Sequence, residues 1–110
     1  MKNVIVKSDK HIVRGKLESL ETSNSVDKYT TVELTIIVLE PLSIPSNTRN
    51  TIIIDYTASS YLVMTYATLI GYTMKYTSNG VIIYHLTFHH YEYSHFEVVP
   101  KIKAKLLYEE

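Results

Sequence analysis

The stretch Tyr72-Thr73-Met74-Lys75-Tyr76-Thr77-Ser78-Asn79-Gly80-Val81-Ile82-Ile83-Tyr84-His85-Leu86-Thr87-Phe88 decides the fold class. Asn79-Gly80 stands between two segments rich in β-branched and aromatic residues. Asn and Gly both tolerate positive φ, so the pair predicts a hairpin between residues 72–77 and 81–96. Side chains alternate across a strand. That places Ile82, Tyr84, Leu86 and Phe88 on one face, which reads as core. It places Ile83, His85, Thr87, His89, Tyr91, Tyr93 and His95 on the other.

Outward from this hairpin the same chemistry recurs. Val, Ile, Thr and Tyr make up 44 of 110 residues, whereas Ala occurs three times and Gln and Trp are absent. Branching at Cβ and aromatic packing suit a pleated, half-buried surface. Residues 3–8 and 11–20 read as strands, or as one bent strand, broken at Ser8-Asp9-Lys10, with Gly15 marking a bulge or tight bend. Residues 21–28 are polar and read as a loop. Residues 29–40 form the next strand, with Val32, Leu34, Ile36 and Val38 on one face. Pro41 and Pro45 end it, since neither donates to a ladder. Residues 46–50 form a turn, and Ile52, Ile54 and Tyr56 share a face in a further strand.

Residues 58–70 carry two signals. Leu62, Tyr66, Leu69 and Ile70 keep helical spacing, Ser59 or Ser60 supplies a cap and Gly71 a stop, which predicts a short helix. Tyr61, Val63, Thr65, Tyr66 and Thr68 are mediocre helix formers and pull toward strand. After Pro100, Ile102 to Tyr108 reads as a closing strand. The whole, residues 1–110, is one domain: a mainly β, small antiparallel barrel of the OB-fold type with at most one short helix.

Composition narrows the function. Eleven Lys and Arg balance eleven Asp and Glu. A general nucleic-acid coat needs net positive charge, so that role is disfavoured, although a local basic groove is not. Lys7, Lys10, Arg14 and Lys16 cluster near the start. Without cysteine there is no disulfide, thiolate metal site or cysteine nucleophile. No apolar run approaches the ~18 residues of a membrane span. The start, Met1-Lys2-Asn3-Val4, lacks a secretory apolar stretch, so a cytoplasmic protein without membrane contact is the expectation. Absence of Gln and Cys, with Glu and Lys leading the charged set, matches a thermophile's composition.

No glycine loop cradles phosphate and no serine stands in a nucleophile elbow, so no enzyme, catalytic residue or cofactor is expected. Asp55, among Ile53, Ile54 and Tyr56, is either a buried base or a solvent-facing residue of a half-buried strand, and the second is commoner. The histidines do not predict a metal site. His85 and His89 are about 13 Å apart along an extended strand, too far to share one zinc. The candidate interaction face is therefore His85, His89, Tyr91, Tyr93 and His95. Rings of this kind stack single-stranded bases, with Lys75 and Tyr76 able to join, or supply the aromatic anchors of a protein interface.

Several segments, in order, resemble the small OB-type subunit of archaeal and eukaryotic DNA-directed RNA polymerases, the eighth subunit of the eukaryotic enzymes and its archaeal counterpart. Ile12-Val13-Arg14-Gly15-Lys16-Leu17 looks like its first strand in crenarchaeal members, and Val32-Glu33-Leu34-Thr35-Ile36-Ile37 stands in the place of its second. Thr68 through Tyr76 is similar to its apolar–Gly–aromatic/basic stretch. Ile82 through Phe88 resembles the strand that follows, and Lys105-Leu106-Leu107-Tyr108 looks like the last one. Where many members carry a Gly-Gly-Leu-Leu-like step, this chain has His89-His90-Tyr91-Glu92. The resemblance implies a noncatalytic subunit that docks on the largest polymerase subunit and meets nucleic acid only through the complex. Two alternatives from other classes are a free-standing single-strand-binding protein and a small viral protein that binds a host machine.

Overall fold

Six strands close on themselves through antiparallel neighbours alone. The computed structural model of the protein describes residues 2–26, 28–41, 45–92 and 95–107. β1 (Asn3–Lys7), β2 (Ile12–Asn24) and β3 (Tyr29–Val38) form one meander, and β4 (Arg49–Thr57), β5 (Ser60–Tyr76) and β6 (Ile82–Tyr91) form a second. β1 pairs with β4 and β3 with β6, so the ring runs β4-β1-β2-β3-β6-β5 and returns to β4. Strand directions can alternate all the way round a ring only if the strand number is even. Six strands meet that condition, and closure leaves few unpaired edges. A short β7 (Glu97–Pro100) adds to β5 at Ser60–Val63, and α1 (Lys101–Leu107) follows it. The result is a closed, six-stranded antiparallel barrel with one short helix, consistent with the expected OB-like type.

The core follows the alternation in the sequence. On β3, Val32, Leu34, Ile36 and Val38 are buried. They stand opposite Phe88, Leu86, Tyr84 and Ile82 of β6 in register. Val4, Val6 and Val13 from the first meander and Ile52, Ile54, Met64, Ala67 and Leu69 from the second complete one cluster. The Ser78-Asn79-Gly80 hairpin forms as expected, with Thr77 N–H donating to the Val81 carbonyl at 2.9 Å. Its turn differs from the two-residue form that Asn-Gly suggests. Only Gly80 takes positive φ (77°), and its N–H returns to the Thr77 carbonyl at 3.2 Å. This is a three-residue loop in which glycine occupies the left-handed position.

Two expected elements exchange places. Residues 58–70 are not helix. Ala58 and Ser59 form a two-residue turn between the paired Thr57 and Ser60, and β5 begins there. Val63 and Met64 are consecutive and both buried. A strand covered on both faces loses its alternation, and its apolar positions then fall by chance at helical spacing. Conversely, Ile102 to Tyr108 is expected as a closing strand, yet Lys101–Leu107 is helix, and Tyr108 lies outside the described residues. Ile102 is exposed and Ala104 fully buried. Lys, Ala and Leu are good helix formers, and here that propensity prevails. The polar loop expected over residues 21–28 is also shorter, because β2 continues to Asn24 in register with β3.

Gly15 is needed for close approach. A Cβ at this position would lie 2.7 Å from the Ile37 carbonyl oxygen and 3.1 Å from a methyl of Val38. The obstacle is backbone, which cannot swing aside. At Gly71 a Cβ would meet nothing within 4 Å. Gly15→Ala should therefore cost about 1–3 kcal/mol, whereas Gly71→Ala should be neutral or slightly stabilising. Phe88→Ala, in the middle of the core, should cost about 3–5 kcal/mol. Urea unfolding of the three variants checks the ranking, and a destabilised Gly71→Ala beside an unaffected Gly15→Ala would contradict the packing described.

Candidate interaction face

The β3–β6 ladder turns its second set of side chains outward, and here the expected histidines are found. His85 stands opposite Thr35, His89 opposite Thr31 and Tyr91 opposite Tyr29. The His85 ring Nδ1 lies 2.9 Å from the Thr35 hydroxyl, and its Nε2 lies 3.6 Å from a Glu33 carboxylate oxygen. The His89 ring packs on Tyr29 with centroids 4.4 Å apart. Tyr91 projects into solvent at 74% exposure. These three residues share one face because register partners in an antiparallel pair lie on the same side.

The face is shorter than alternation alone predicts. Glu92 adopts φ of 67°, and β6 ends at Tyr91. Left-handed backbone turns the chain, so strand parity carries no information beyond this point. His95 is exposed between β6 and β7, outside any strand, and Tyr93 lies outside the described residues. Lys75, opposite Ile83, belongs to the outer face. Tyr76, opposite the buried Ile82, belongs to the inner one. Glu33 and Glu21 are register partners on β3 and β2, which places two carboxylates on the same outer surface as His85. Carboxylates so placed disfavour a close phosphate backbone. Among the described residues no three His, Asp or Glu side chains come together as metal ligands.

Asp55 has a structural partner. Its carboxylate lies 2.7 Å from the Lys101 ammonium at the start of α1. Lys101 also sits 5.0 Å from the centroid of the Tyr61 ring and donates its backbone N–H to the Ser59 carbonyl. Asp55 thus ties the helix to the β4–β5 turn, and a role as a base would have to break that pair.

A second surface is not announced by any single motif. β4 leaves β5 at the Arg49–Thr68 pair, and only Leu69 continues to exchange hydrogen bonds on that side, with Asn47 and Thr48. From Ile70 to Tyr76, β5 pairs with β6 on one edge, and no described residue pairs with the other. Tyr72, Met74 and Tyr76 stand opposite Leu86, Tyr84 and Ile82, so they lie on the core-facing side of the sheet. They are nevertheless 39%, 44% and 60% exposed, because the wall is incomplete there. Tyr72 packs on the buried Tyr84 at 5.6 Å between centroids. The signal in the sequence is the alternation of Tyr72, Met74 and Tyr76 with Thr73 and Lys75, whose apolar side continues the core face of β6.

The chain is thus a small all-antiparallel barrel with a polar histidine–tyrosine sheet face and an aromatic strand edge that no described residue covers. No protein-family model matches it, and no curated protein or solved structure does either. No helix among the described residues is long and apolar enough to cross a membrane.

The Tyr29–His89 contact should contribute to stability in its own right. In a double-mutant cycle, Tyr29→Ala and His89→Ala should show a coupling of about 0.5–1.5 kcal/mol by urea unfolding. Strict additivity would mean that the rings do not touch in solution.

Proposed function

We propose that this protein is a noncatalytic docking module, an accessory subunit that binds an extended segment of a partner protein along the open edge of β5. The observation that carries this is the edge from Ile70 to Tyr76, unpaired among the described residues, beside exposed Tyr72, Met74 and Tyr76. An unpaired strand edge offers backbone N–H and C=O groups to another strand, and side-chain pockets beside it give specificity. Tyrosine and methionine suit such a contact: tyrosine buries a large ring at small entropic cost, and methionine adapts its shape. Lys75 is the only charged residue on this stretch, so a partner strand meets little that must be desolvated.

The resemblance of several segments to the small OB-type polymerase subunit identifies the partner in this proposal as the largest subunit of a DNA-directed RNA polymerase. The carboxylates of Glu21 and Glu33 beside the histidines support a protein rather than a phosphate backbone against the outer sheet.

The test is purification of the tagged chain from its native cells, alongside a Met74→Lys variant. Unlike Lys75 on the outer face, a lysine at Met74 would put a charge on the core-facing side, between Tyr72 and Tyr76, where a partner's side chains must pack. At a position already 44% exposed it should change stability by less than about 0.5–1 kcal/mol. The expected outcome is stoichiometric recovery of the largest polymerase subunit with the parent chain and its loss with the variant. A chain that elutes alone contradicts the accessory-subunit proposal. Polymerase retained equally by both forms contradicts the edge as its site.

A further inference from the structure

We propose a second site, separate from the open edge: a nucleotide-binding pocket where the β1–β2 hairpin, the start of β4 and a bulge in β5 converge, with basic side chains for the phosphate and the Tyr66 ring for the base. The cavity is ≈ 650 Å³, within the range of small-ligand pockets. Its wall includes Lys7, Lys10, His11, Arg49 and Tyr66, with Asp9 as the only carboxylate. A chain of zero net charge therefore concentrates three permanent cations around one hollow.

The geometry of Tyr66 is the independent observation. Asn50 pairs with Ala67 and Ile52 with Met64, so Thr51 is opposed by two residues, Thr65 and Tyr66. Met64 and Ala67 are both fixed in the core. The extra residue is accommodated by a left-handed backbone at Tyr66, with φ of 58°. Bulky residues rarely take this conformation, because Cβ crowds the carbonyl that follows. Glycine would fit there without strain. Instead a large ring is held at 68% exposure on the wall of a basic hollow. Strain of this kind concentrates at ligand sites, where the surrounding structure maintains it.

The hairpin tip is equally defined. Ser8 N–H donates to the His11 carbonyl at 2.8 Å, and His11 N–H donates to the Ser8 hydroxyl, which leaves Asp9 and Lys10 as a two-residue tip. Lys10 and Arg49 make no ion pair among the described residues. Guanidinium and ammonium groups provide the fork and the point charge that phosphate oxygens accept. A phenol ring offers a face to any base, which fits a ligand chosen by its class rather than its sequence.

The ligand chemistry is a phosphate attached to a planar base, present either in a free mononucleotide or in a single strand. Binding of the full chain to a labelled short oligoadenylate, with AMP and inorganic phosphate as competitors, tests the site and separates these sources. The expected result is binding that weakens as salt rises. Lys10→Ala and Arg49→Ala should each flatten the dependence of log K on log salt by about one. Tyr66→Gly should weaken binding about tenfold while the unfolding midpoint stays or rises, since glycine accepts the backbone. Tyr66→Phe, which keeps the ring, should bind as the parent does. Competition by AMP assigns the site to free nucleotides, and bound oligomer that AMP does not displace assigns it to a strand. Three results would overturn the proposal: failure of both oligomer and AMP to bind at low salt, full binding by Tyr66→Gly, or inorganic phosphate competing as well as AMP.

Discussion

The ten-residue ladder between β3 and β6 is the constraint on which the rest of the molecule depends. It joins the last strands of two meanders that are otherwise linked only through β1 and β4. Its inner side stacks Val32 on Phe88, Leu34 on Leu86, Ile36 on Tyr84 and Val38 on Ile82. All eight are at most 5% exposed. Each registered pair removes two large side chains from water at once, and a slip of either strand by one residue would turn its four inward side chains outward. The same ladder places His85, His89 and Tyr91 on the outer surface. Their position is thus a consequence of the core rather than a separate feature of the chain.

Closure through six antiparallel strands does not use the full length of every strand. β5 has 17 residues and serves three neighbours in succession: β4 and β7 along its first part, then β6 along the remainder. The bulge at Tyr66 lets the strand follow the barrel while it changes partners. Beyond Thr68 it has outrun β4, which produces the open edge. The basic pocket and the aromatic edge are therefore two products of one long, bent strand. The first lies where β5 bends and the second where it is left without a second neighbour.

Legibility in the sequence tracks the physics of each element. β3 and β6 are readable because each buries one face, so Val32 to Val38 and Ile82 to Phe88 alternate cleanly. The first part of β5 is not, because Val63 and Met64 are both buried and the period of two disappears. α1 misleads for the opposite reason. Ile102 and Ala104 mimic a period of two, but the helix packs Ala104 and leaves Ile102 in water. At the site, parity locates His85, His89 and Tyr91 and fails at Glu92, where a left-handed residue breaks the strand without a glycine or proline to announce it. Tyr66 and the open edge depend on where β4 ends relative to β5, a property of pairing that no single segment encodes.

Native-state hydrogen exchange, residue by residue on the isolated chain, tests the central claim most directly: the β3–β6 ladder closes the barrel and leaves β5 open beyond Leu69. The amides of Leu34, Ile36, Tyr84 and Leu86 should exchange only through global unfolding and be the slowest in the molecule. Between Ile70 and Tyr76, amides directed at β6 should be protected and those directed away from it should exchange fast, in alternation. Uniform slow exchange from Ile70 to Tyr76, or faster exchange in β3 and β6 than in β1 and β4, would contradict it.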